Sequence, residues 1–131
     1  MLDQMQMLAW LDQETARAEQ DFARHAGKQS ACQLHKDGRV TGGMKYDEGR
    51  LVALTTLRRI VRKQDTWAPA QLVEALQIEQ NRWQRALQTY QSAEHPSIAW
   101  VAYQQGGVDA VAAAGAALTA LLSSSQPRRN R

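Results

Sequence analysis

Between Lys45 and Lys63 the sequence KYDEGRLVALTTLRRIVRK spaces its apolar residues as a helix does, and this segment constrains the fold more than any other. At about 100° per residue, Tyr46, Ala53, Leu54, Leu57, Ile60 and Val61 share one sector, and Arg58, Arg59, Arg62 and Lys63 lie roughly opposite. The expectation is a helix docked by one side, with a basic outer face offered to phosphates or acidic partners. Its start is expected near Asp47, whose carboxylate can cap free N–H groups, and its end near Gln64. Arg50 falls in the same sector as Leu54 and Leu57. A charge there needs an escape to solvent or a partner, for which a carboxylate of the first helix is the first choice.

The rest of the chain reads as further helices. From Asp3 to His25, Leu8, Leu11, Thr15, Ala18 and Phe22 alternate three and four apart, and Gly27 is the expected stop. Residues 28–43 have no helical period; Lys36-Asp37-Gly38-Arg39 has turn composition, so residues 31–35 and 39–42 form either a short β-hairpin or a mobile basic loop. Thr66 and Pro69 announce a third helix running to about Ser92, with a soft spot in its apolar face at Glu79 and Gln80. A short helix from Ser97 to Gln105 is expected to end at Gly106-Gly107. The last helix, rich in Ala and Gly, carries Val108, Val111, Leu118 and Leu122 and needs cover on most of its circumference, which a homodimer would supply.

Composition sets the class. The chain has 131 residues, 44% of them hydrophobic and 22% charged, which suits one domain with a real core and no disulfide or metal. With one cysteine and no signal-peptide pattern, a cytoplasmic location is expected. Val108–Leu122 carries Asp109 and is short for a bilayer, so it reads as a buried helix and no membrane partner is expected. The net charge of +3 is unevenly placed: residues 1–27 sum to −3, residues 28–63 to +6, residues 64–125 to −3 and the last six to +3.

Catalytic patterns are thin. Cys32-x-x-His35 is half a zinc site without a second pair, so no metal or cofactor is expected. No carboxylate pair, P-loop or dinucleotide fingerprint is present, which disfavours an enzyme. Ser97-Ile98-Ala99-Trp100-x-x-Tyr103-x-x-Gly106-Gly107-x-x-Ala110 resembles the end of the helix-turn-helix of insertion-element transposases, where a tryptophan helix stops at a Gly pair. The basic residues of that motif are replaced here by Val, Ala, Tyr and Gln, which removes its DNA-contacting logic, so no family is assigned.

The sequence therefore leads to an all-α domain over residues 1–125, a bundle of four to five helices, with a flexible basic tail at 126–131. The leading function is non-enzymatic binding of DNA or RNA through Arg58, Arg59, Arg62 and Lys63, with Lys36 and Arg39 on the turn, Arg128, Arg129 and Arg131 in the tail, and Trp67 as a stacking residue. Trp83 and Trp100 are assigned to the core. The alternative is a helical adaptor that docks a protein partner through an amphipathic helix.

Overall fold

Leu54, Leu57 and Val61, the stripe picked out by helical spacing, are each 1% exposed and lie at the centre of the core. The computed structural model describes residues 2–26 and 42–125. They form four helices, α1 (Leu2–Ala26), α2 (Gly42–Arg62), α3 (Pro69–Gln91) and α4 (Ile98–Ser125), and no strand occurs among the described residues. Met7, Leu11 and Ala18 of α1, the α2 stripe, Leu72 and Leu76 of α3, and Ala110, Val111, Ala114 and Leu118 of α4 make one cluster. The expected hairpin falls on residues 31–42, of which 31–41 lie outside the described residues; Gly42 opens α2.

α1 runs antiparallel to α2, as successive contacts record. Gln4 Nε2 donates to the carbonyls of Val61 and Gln64, Arg58 reaches Asp12, Arg50 reaches Asp21, and His25 reaches Asp47. Gln4 thereby ties α1 to the end of α2, adding to the Val61 carbonyl, which also accepts from Gln64 N–H, and reaching the Gln64 carbonyl just past the helix. α4 occupies the middle and packs against the other three helices, whereas α2 and α3 barely touch each other.

Three boundaries differ from expectation, each for a local reason. α2 starts at Gly42, and Asp47, 1% exposed, is an interior residue bonded to His25 and Arg50 instead of a cap. Ala68, without a side-chain bond, stands at the N-cap of α3, with Pro69 in the first turn; Thr66 is not the cap. Gly106-Gly107 does not break the last segment: residues 98–125 are one helix, opened by a bond from Trp100 N–H to Ser97 Oγ.

The Gly pair serves contact. A Cβ at Gly106 would run into the carbonyl oxygen of Tyr46, and one at Gly49 into that of Tyr103, so α2 and α4 cross backbone to backbone. A Cβ at Gly107 would enter the Trp83 ring. Continuity also makes Ile98–Ser124 long and apolar enough to cross a membrane by length and composition, which removes the argument from shortness. Val108, Ala110, Val111, Ala114 and Leu118 are buried against the other helices, while 39% of the most apolar stretch of this span is buried in all.

Gly→Ala in a helix interior ordinarily stabilises by up to about 1 kcal/mol. Here the sign depends on position: Gly49→Ala and Gly106→Ala should each cost about 1–3 kcal/mol, because the new methyl group forces the helices apart. Gly115→Ala, with nothing within 4 Å, should stabilise. Urea unfolding of the three variants checks the pattern.

Candidate functional site

The basic face of α2 borders a groove of about 640 Å³ lined by Asp12, Thr15, Ala16 and Glu19 of α1 and by Thr55, Arg58, Arg59, Arg62 and Lys63. Arg58 Nε donates to Asp12 Oδ1 at 2.8 Å, with the two side chains 45% and 53% exposed. A surface pair of this kind is worth at most about 1 kcal/mol and is screened by salt, so Arg58 remains exchangeable. Arg59, Arg62 and Lys63 are exposed and have no acidic partner among the described residues. The groove is mixed in sign but weighted to positive, with four cations facing two carboxylates.

Of the other expected binding residues, Lys36, Arg39, Arg128, Arg129 and Arg131 lie outside the described residues, as do Cys32 and His35. Trp67 packs its ring against the core, with its indole Nε1 buried and without a hydrogen-bond partner, a poor posture for stacking. Trp83 also packs on the core, as expected. Trp100 departs from its assignment: it is 42% exposed, because its side of α4 faces the gap between α2 and α3.

Around Trp100 the structure gathers an aromatic cluster. Tyr90 stacks on it with centroids 6.4 Å apart, Tyr103 meets it edge-on at 5.4 Å, and Trp83 lies 5.7 Å beyond Tyr103. Lys45 Nζ sits 4.7 Å from the Trp100 centroid and is held there by Glu48 at 2.9 Å. This cluster escaped sequence reasoning, which assigned Trp100 to the core. The available signal was the lone Lys45 at the start of α2, four residues before Gly49.

A second polar group joins α1, α2 and α4. Arg50 Nη1 donates to Asp21 at 2.9 Å and to Asp47 at 3.4 Å, so Arg50 has the partner from α1 that its position demanded. That bond from Arg50 holds the Asp21 carboxyl below its usual range. His25 Nδ1 donates to the other Asp47 oxygen at 2.5 Å. The pair joins α1 to α2 and, with Arg50, clamps the two helices together. Nearby, Tyr46 Oη donates to Asp109 at 2.6 Å, and Gln105 donates to the other Asp109 oxygen at 2.8 Å. Among the described residues no group of three or more His, Cys, Asp or Glu is placed to hold a metal ion.

No protein-family model, curated protein or solved structure matches this chain.

Burial and the bond to Asp109 push the Tyr46 phenol up to about 12 from an ordinary value of 10.0. The folded protein keeps that proton through a range in which the unfolded chain gives it up. The Tyr46 contribution is complete below pH 10 and is lost as pH rises towards about 12. Thermal melts of the wild type should therefore fall faster across this window than those of Tyr46→Phe, which has no phenol to ionise. Parallel slopes would contradict the assignment.

Proposed function

We propose that the protein binds nucleic acid without catalysing a reaction, through electrostatic contact between the end of α2 and the phosphate backbone. The observation that carries this reading is that Arg59, Arg62 and Lys63 project from one helix end, exposed and without acidic partners among the described residues. Arg58 adds a fourth positive group through a weak pair that a phosphate can replace. Such contacts need only reachable positive charge and carry little sequence information. Weak sequence selectivity goes with this reading, because phosphate contacts alone do not report the base sequence. DNA and RNA are equally admitted by it.

A second reading, docking of a helical protein partner or a second copy, draws support from one other feature. Ala9, Trp10, Ala117, Ala120 and Leu121 line a mostly apolar groove of about 570 Å³ between α1 and α4. Light scattering on the purified chain separates a dimer from a monomer, and a monomer removes the homodimer.

For the nucleic-acid reading, a mobility-shift titration at two salt concentrations is the test. Affinity should fall steeply with salt, and replacing Arg59, Arg62 and Lys63 by Ala should flatten the slope of log affinity against log salt by about one per residue. Loss should be similar for unrelated sequences, with the helical circular dichroism unchanged. No retention at low salt discards the reading.

A further inference from the structure

A second hollow, which shares no lining residue with the basic groove, is weighted to the opposite charge, and we propose that it binds a small organic ammonium ion, a primary amine in its protonated form. It lies where α1, α2 and α4 meet, has a volume of about 270 Å³ and is lined by Trp10 and Glu14 of α1, Tyr46 and Arg50 of α2, and Asp109 and Ala113 of α4. The space persists because α1 packs more lightly on α4 than on α2, and because α4 presents alanine there. Its size is at the small end for ligand pockets, which suits a compact amine better than a nucleotide.

Charge decides the class of ligand. Asp109 accepts only from neutral donors, the Tyr46 hydroxyl and the Gln105 amide, and no ion pair to it occurs among the described residues. Two bonds leave acceptor capacity on a carboxylate, which has about four lone-pair sites. Glu14, with its side chain 19% exposed, is held on one oxygen by Arg17, itself 70% exposed, in a pair of the kind that contributes little and exchanges readily. Arg50 also lines the hollow, but its Nη1 is bonded to Asp21 and Asp47, two carboxylates outside it, so its positive charge is already engaged. What the walls leave unmatched is negative.

The aromatic walls favour an organic cation over a hydrated metal ion. Trp10 and Tyr46 each bring a π system to the hollow, and an alkylammonium gains there twice, from the ring quadrupole and from burial of the methylene groups beside its charge. Both rings are open to such a contact: the ring pairs and the cation over a ring among the described residues all involve Trp83, Tyr90, Trp100 and Tyr103 instead. An ammonium group on Asp109 and Glu14, with its carbon body against Trp10, therefore satisfies the charge and the apolar surface together.

Titration of the isotope-labelled full chain with benzylammonium chloride, followed by NMR through the indole N–H signals of the four tryptophans, tests the assignment; benzyl alcohol is the uncharged probe of nearly the same shape. The Trp10 signal, identified by its loss in Trp10→Phe, should shift saturably with the amine and not with the alcohol. Asp109→Asn, which keeps an oxygen for Tyr46, should weaken amine binding by about tenfold or more. Ala113→Leu, at an exposed position, should fill the space and block the amine while leaving Asp109 and its bonds in place. Wild-type circular dichroism in Ala113→Leu separates a filled site from lost folding, even where Asp109→Asn destabilises the chain. A Trp10 signal that does not saturate, equal shifts with both probes, or unchanged amine binding in Ala113→Leu overturns the site and leaves the nucleic-acid reading untouched.

Discussion

The crossing of α2 over α4 at Gly49 and Gly106 is the constraint from which the rest of the arrangement follows. Two backbones meet there without side chains between them, so neither helix can slide or rotate without collision. With that point fixed, Tyr46 comes within reach of Asp109 and Lys45 comes over Trp100. α4 is held in the middle of the domain, and α2 and α3 flank it with an open groove between them. The small residues of α4 thus act as the means of close approach.

A second constraint sets the register of α1 against α2. Asp47 is almost fully buried, and an isolated carboxylate there would cost several kcal/mol, on the order of what a small domain has in total. It is tolerated because Arg50 and His25 both bond it, and Arg50 is anchored in turn by Asp21. Shifting α1 by one turn would strand these groups together, so the clamp contributes less through net attraction than through exclusion of other registers. Apolar packing between Leu11, Ala18, Leu54 and Leu57 would by itself accept several alignments.

Helical spacing made the helices and the α2 stripe legible because a docked helix must keep one side apolar. Arg50 was legible for the same reason, since a charge in that stripe demands a partner. What spacing could not convey is which neighbour a residue faces. Gly106-Gly107 has the composition of a stop, yet the tertiary contact with Tyr46 and Trp83 makes the absence of Cβ useful inside a helix. Asp47 has the chemistry of a cap, but the partners that keep it interior come from residues 22 positions earlier and three later. Trp100 and Tyr90 match apolar periods, and their exposure follows only from α2 and α3 standing apart. Among the expected binding residues, the α2 cations were readable as a face, while the core contact of Trp67 was not.

The same antiparallel register explains why positive charge is left over at one end of α2. Asp21 stands opposite Arg50 and Asp12 opposite Arg58, so two carboxylates of α1 each take up one cation. Continuing the alignment by another turn, the residues of α1 that come opposite Arg62 and Lys63 are Leu8 and Met7, one partly and one fully buried, followed by the neutral amide of Gln4. Nothing on that stretch of α1 can neutralise a guanidinium, and Glu19, the other carboxylate on the groove, carries no bond to one. Since charge pairing and apolar packing are both fixed by one alignment, the excess cannot be removed by a small adjustment of the helices. Counterions balance it, and on the reading proposed above a phosphate chain would take their place.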